Sequence, residues 1–284
     1  MKSNFSLHGH TRVILLIIPY FFVLSIFQFI GLLFAKVKDK VINVDELTTQ
    51  QLLIISFFSC LGTFLLLSFF MKYVDKEHFT LLGFQSKNRG KDILIGVFIG
   101  FVVVLISYFL LIKLNQITHL RYVFNFQEVC FSILVYITVS FSEEVLFRGY
   151  ILKNLLISIY SPLALVLSAL LFSLMHSFNS NIDWFSFLSL FLGGILLGVS
   201  YVYTRNLWFP IALHFSWNLF QTLFGFNVSG HDFYSFIEFE VKKNNIFNGG
   251  NFGFEGSIFS IIFQLILIAC IVVYYERKKN IIIT

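Results

Sequence analysis

Three ionisable side chains fall within six residues of an otherwise apolar stretch, Ser140-Phe141-Ser142-Glu143-Glu144-Val145-Leu146-Phe147-Arg148. At the centre of a bilayer each such group costs about 2.5–3.5 kcal/mol on the insertion scale, roughly 8–10 kcal/mol for the three before pairing. That sum is comparable to the net stability of a whole domain, so groups placed this way mark function. Helical spacing separates their roles. Glu144 and Arg148 are four residues apart, share a face and can form an ion pair. Glu143 lies about 100° round the helix from Glu144 and is the freer of the two to point into a cavity. The bland alternative is a buried charge knot that only locks helices together.

Two further apolar stretches carry polar residues of the same chemical kind. One ends Phe172-Ser173-Leu174-Met175-His176, and another reads Leu213-His214-Phe215-Ser216-Trp217-Asn218, with His214 and Asn218 four apart on one face. Taken singly, the first histidine reads as an interfacial residue and the second pair as interhelical hydrogen-bond glue. Together with Glu143 they are the components of a hydrolytic site. A buried carboxylate suits a general base, Glu143 and His176 can hold one water between them, and His214 and Asn218 can donate to a developing oxyanion. Two histidines and a glutamate can also ligate zinc, so a divalent metal held by Glu143, His176 and His214 stays open, although His-Glu-x-x-His is absent. No serine sits in a Gly-x-Ser-x-Gly setting. The three cysteines, Cys60, Cys130 and Cys270, are far apart in apolar runs, which argues against a cysteine zinc site.

The elements that must position these groups are membrane helices. The 284-residue chain is 57% hydrophobic and only 12% charged, with mean hydropathy +0.84, too little polar surface to cover a soluble domain. The runs are long and continuous rather than alternating, which selects helices over a barrel. The expected fold is all-α, a polytopic bundle with essentially no sheet. Its spans, about eight of them, lie near 13–35, 52–71, 92–113, 128–157, 162–177, 184–203, 207–226 and 257–275. The run from Val13 to Ala35 is longer than the apolar core of a signal peptide and reads as the first span. The fourth span is long enough to tilt or to bend near Gly149. Ser161-Pro162 suits a helix start, and Asn179-Ser180-Asn181 reads as a turn. Three parts follow: N-terminal spans in 1–127, a core carrying the motifs in 128–226, and a polar loop with a last helix in 227–284. The loop at 227–256 is either a lid or a connector.

The net charge of +5 does not gather into a basic face, so nucleic acid is not an expected partner; the lipid bilayer and a membrane peptide or protein substrate are. With the N-terminus inside, the inner side collects Lys2, Arg12, Lys72, Lys76, Lys87, Arg89, Lys91, Lys153, Arg205, Arg277, Lys278 and Lys279. The outer side collects Lys36, Lys38, Lys40, Lys113, Arg121, Lys242 and Lys243. The excess inside places both termini in the cytoplasm.

The order Glu-Glu-x-x-x-Arg, Phe-x-x-x-His, His-x-x-x-Asn, met here as Glu143-Glu144 to Arg148, Phe172 to His176 and His214 to Asn218, resembles the CPBP family of intramembrane proteases. That family includes the type II CAAX prenyl endopeptidases and the bacterial ABI-type proteins. The resemblance covers roughly residues 128–226; the first three spans and the last fit only in being hydrophobic. It implies an intramembrane endopeptidase in a bacterial cytoplasmic membrane, acting on membrane-associated, prenylated or leader peptides. Glu143, His176, His214 and Asn218 would be the catalytic residues, with Glu144 and Arg148 supporting them and the second glutamate mattering less than the first. The metal question stays open in the family too, which is often labelled metalloprotease and has also been viewed as a metal-independent glutamate protease. The alternatives are a catalytically inactive scaffold or immunity-type regulator that keeps the fold, and a transporter. Against the transporter, the polar residues crowd into one stretch and no paired broken helices appear.

Overall fold

The computed structural model describes residues 7–37 and 43–283. Lys2, Lys38 and Lys40, used in the charge count, lie outside the described residues, as does the side chain of Lys279. Nine α-helices run in chain order among the described residues: α1 Gly9–Phe34, α2 Thr49–Phe69, α3 Gly90–Lys113, α4 Phe126–Glu144, α5 Lys153–Ser158, α6 Ser161–Met175, α7 Trp184–Thr204, α8 Trp208–Leu223 and α9 Ile258–Ile283. The chain is all-α in class and a membrane bundle in composition.

Among the described residues six helical stretches are long and apolar enough to cross a membrane, and the other two expected spans correspond to shorter helices, for a span count of about six to eight. The two that fall short are α6, with 15 residues, and α8, with 16. At 1.5 Å per residue they rise only about 22–24 Å, less than the roughly 30 Å of a hydrocarbon core. They are also the helices that carry His176, His214 and Asn218. The expected fifth span, 162–177, matches α6 in length, whereas apolar Phe224 and Phe226 past the end of α8 lengthen the expected seventh.

The long fourth stretch, expected to tilt or to bend near Gly149, carries a widened helical segment that includes that residue. Helix α4 passes at Val145 into a π-helical segment, Val145–Leu152, before resuming as α5. All eight residues of that segment are buried. Such wide turns concentrate at functional sites, and this one begins directly after Glu143 and Glu144. Helix α6 opens on Ser161-Pro162, with the proline in its first turn. Asp183 caps α7 by accepting from the Ser186 backbone N–H at 2.7 Å.

The helix ends sort into two groups. The His10 N–H donates to Ser158 Oγ at 3.0 Å, the Leu207 N–H to Gly83 O at 3.0 Å, and Tyr203 Oη to Glu276 at 2.8 Å. These contacts gather the start of α1, the end of α5, the α7–α8 turn and the end of α9 at one end of the bundle. Arg12 pairs with Asp75 at 2.6 Å, and Lys153 pairs with Glu77, at that same end.

Helices α1 and α9 are peripheral and α7 is central: 17% of each outer apolar window is buried against 56% for α7. Helix α3 lies along α8 through Gly96 and Gly100. A Cβ at Gly96 would come 2.9 Å from the Leu213 backbone N, and one at Gly100 2.8 Å from the Trp217 N. This Gly-x-x-x-Gly spacing lets two helix backbones approach closely and fixes α8 from behind.

The little sheet present among the described residues is one two-stranded pair. Strands β1, Ile117–Tyr122, and β2, Ile237–Val241, pair antiparallel, with Arg121 on Glu238 at 2.7 Å. The pairing ties the long loop to the end of α3. The same loop is pinned to the α6–α7 turn, where Asn179 Nδ2 donates to Ser229 O and Asn181 Nδ2 to Gly230 O, each at 3.1 Å. Gly230, at φ +89°, stands where any Cβ would run into Ser180 O. The loop is therefore a built wall, closing the bundle at the end where α6 and α8 stop short.

Candidate active site

Glu143, His176, His214 and Asn218 line one cavity of about 400 Å³. Their helices bring them in from three directions. Glu143 sits in the last turn of α4, His176 caps the C-terminus of α6, and His214 and Asn218 stand one turn apart on α8. Glu143 Oε2 is 3.8 Å from His176 Nε2 and 3.9 Å from His214 Nε2. It has no hydrogen-bond partner among the described residues. These separations exceed a direct hydrogen bond and call for a bridging water.

The second carboxylate is differently placed. Glu144 is 0% exposed where the Glu143 side chain is 25% exposed, which decides the division between them. Glu144 Oε1 accepts from Arg148 Nη1 at 2.7 Å and from His214 Nδ1 at 2.8 Å. Arg148 in turn donates through Nη2 to Gly194 O on α7 at 3.2 Å, and its guanidinium lies 4.6 Å over the Phe172 ring, a cation–π contact. The pair inferred from spacing is thus part of a longer chain joining α4, α6, α7 and α8. The spacing of Glu144 and Arg148 signals their contact; no local signal ties His214 to Glu144, 70 residues away.

Phe172 does more than mark a motif. Its carbonyl accepts from His176 Nδ1 at 2.8 Å, and its ring packs against the His176 ring at 4.6 Å. Both histidines therefore spend Nδ1–H on a fixed acceptor, a carbonyl for His176 and the Arg148-paired carboxylate for His214. Each turns Nε2 toward Glu143. Asn218 makes no side-chain hydrogen bond among the described residues, so its amide is free toward the cavity. Gly194 is a further site residue that spacing could not have found. Its missing side chain leaves room for Ala169 of α6, at 2.8 Å from where a Cβ would be, and that close approach brings the Gly194 carbonyl within reach of Arg148.

The residues of the conditional zinc set, Glu143, His176 and His214, stand slightly wider apart than ligands of one zinc. Among the described residues no group of three or more His, Cys, Asp or Glu side chains is placed to hold a metal ion. Ligands on one tetrahedral zinc at about 2.0–2.2 Å stand roughly 3.4 Å apart, closer than Glu143 stands to either histidine. Cys60 and Cys130 are half-buried, Cys270 is exposed, and all are unpaired.

Residues 125–220 match a family model described as Rce1-like, type II CAAX prenyl endopeptidase Rce1-like. No curated protein and no solved structure matches the chain. The matched segment holds Glu143, Glu144, Arg148, His176, His214 and Asn218 together with Phe172 and Gly194, so it is similar to that family in the part of the chain that carries the chemistry.

Proposed function

We propose that the chain is an intramembrane endopeptidase of the CAAX-protease kind, hydrolysing peptide bonds of membrane-associated substrates with a water activated by Glu143. The observation that carries this reading is the convergence of Glu143, His176 and His214 around one gap, each histidine oriented by a separate acceptor.

The step follows from the donors. His176 gives Nδ1–H to a carbonyl, so the neutral ring offers a lone pair at Nε2. A water in the gap donates one hydrogen to that nitrogen and the other to Glu143, leaving its own lone pair for the scissile carbonyl carbon. On attack, the second hydrogen passes to Glu143 as a proton. The oxyanion is received by the Asn218 amide and by His214. Because Glu144 accepts from His214 Nδ1–H, Nε2 donates only when His214 is the imidazolium. That state gives two cations, His214 and Arg148, against two carboxylates, and a neutral set is what a low-dielectric site favours. Glu143 then returns its proton to the leaving amine as the C–N bond breaks.

The short helices fit this chemistry, because a hydrolase within a bilayer must bring water to mid-depth, and a helix that stops short leaves a place for it. The excess of lysine and arginine at the end holding Arg12, Lys72, Lys153 and Arg205 supports placing that end in the cytoplasm of a bacterial membrane. Comparative proteomics of membranes holding wild type or Glu143→Gln tests the reading. A peptide whose cleavage disappears in the variant is expected, and identical peptide profiles would oppose it.

A further inference from the structure

The cavity wall holds a second buried carboxylate outside the catalytic group. Glu255, 8% exposed, accepts at Oε1 from Gln221 Nε2 at 3.2 Å, and at Oε2 from the Ser229 N–H at 3.0 Å and Ser229 Oγ at 2.9 Å. None of its partners is cationic. Among the described residues lining the cavity there is no lysine or arginine, and His231 faces Asp45 at 2.9 Å instead. A buried carboxylate without a counter-charge is costly.

Two more observations point to what would meet it. The Tyr136 hydroxyl and Gln264 Oε1 also lie in this wall, on residues 4% and 3% exposed, and neither has a hydrogen-bond partner among the described residues. Buried polar atoms are seldom left so. Tyr136 packs with Leu219 and Val228, close in sequence to Gln221 and Ser229, which hold Glu255.

We propose that Glu255, Tyr136 and Gln264 form a subsite for a cationic group of the peptide substrate, a lysine or arginine side chain or a free amino terminus. This rests on the proteolytic reading and names the substrate class it selects. Conversely, the cavity offers no basic side chain to a C-terminal carboxylate. Helix α8 sets the spacing. His214, Asn218 and Gln221 follow at intervals of four and three residues on one face, so Gln221 lies roughly 5–10 Å along the axis from the two oxyanion donors. An extended peptide advances about 3.3 Å per residue, which puts the cation two to three residues from the scissile bond.

The test reads binding to purified Glu143→Gln protein, so nothing is cleaved and a failure here is distinct from failure of the protease reading. Fluorescent, N-acetylated, C-amidated alanine–leucine decapeptides carry one lysine, norleucine or glutamate, moved along the host. A further host has a free amino terminus and no lysine. Lysine is expected to bind on the order of tenfold more tightly than norleucine over a short window of positions, with glutamate weakest. Adding Glu255→Gln should erase the lysine gain while norleucine binding persists. A gain for the free amino terminus alone identifies that as the cation. No gain over norleucine for either lysine or the free amino terminus, a gain that survives Glu255→Gln, or loss of norleucine binding together with the gain would each overturn the proposal.

Discussion

His214 Nδ1 lies 2.8 Å from Oε1 of Glu144, the oxygen that also takes Arg148 Nη1 at 2.7 Å. One carboxylate thus fixes a histidine of the site and neutralises the arginine that ties three helices together. Glu144→Gln keeps an acceptor for His214 but removes the charge that favours its imidazolium. The expected result is a kcat loss about tenfold smaller than that of Glu143→Gln, with a lowered thermal midpoint because Arg148 is left buried without its counter-charge. Equal losses in the two variants would mean that Glu144 is itself the base.

Arg148→Ala leaves Glu144 buried with one partner fewer. Breaking a buried pair costs about 3–5 kcal/mol, so the variant should show a lower thermal midpoint and lower folded yield in detergent. Arg148→Lys should restore only part, since a single ammonium cannot reach both Glu144 and Gly194 as the guanidinium does. A normal midpoint for Arg148→Ala would remove the structural role.

Asn218→Ala should act on turnover rather than on binding. Losing one oxyanion donor costs roughly 2.7–4 kcal/mol in the transition state, about two to three orders of magnitude in kcat, with KM little changed. A raised KM with unchanged kcat would place Asn218 in ground-state substrate contact instead.

Gly100→Val changes no residue of the site, yet it should reduce activity. A side chain at Gly100 drives into the Ser216 hydroxyl and the Trp217 backbone, displacing the turn of α8 between His214 and Asn218. Gly90→Ala, at the open start of α3, is the matched control and should leave activity unchanged. Equal activity of the two variants would show that α8 is not positioned by α3.

How far the sequence carried this account depended on the range of each contact. Glu144 and Arg148 could be paired from a four-residue spacing, and Glu143 could be set apart by its angle on the helix. The helix start at Ser161-Pro162 was legible for the same local reason. The link from Glu144 to His214 spans three intervening helices, α5, α6 and α7, and has no periodic signature. The shortness of α8 was hidden by apolar residues that continue past its end, such as Phe224 and Phe226, whereas the largely polar run from His176 to Asn181 marked the end of α6. The pairing of β1 with β2 joins segments more than a hundred residues apart; Ile237-Glu238-Phe239-Glu240-Val241 alternates as a strand does, but nothing local names its partner. Gly96 and Gly100 did carry a readable close-packing signal, which the catalytic residues overshadowed.

The central claim is that Glu143 activates water without a metal, and the cleavage rate of purified, chelator-treated protein in detergent tests it most directly. With a quenched fluorescent peptide as substrate, the stripped wild-type protein should retain its rate. Glu143→Gln should fall by at least three orders of magnitude while keeping its thermal midpoint. Loss of wild-type activity on stripping, restored by added zinc, or an active Glu143→Gln protein, would contradict the account.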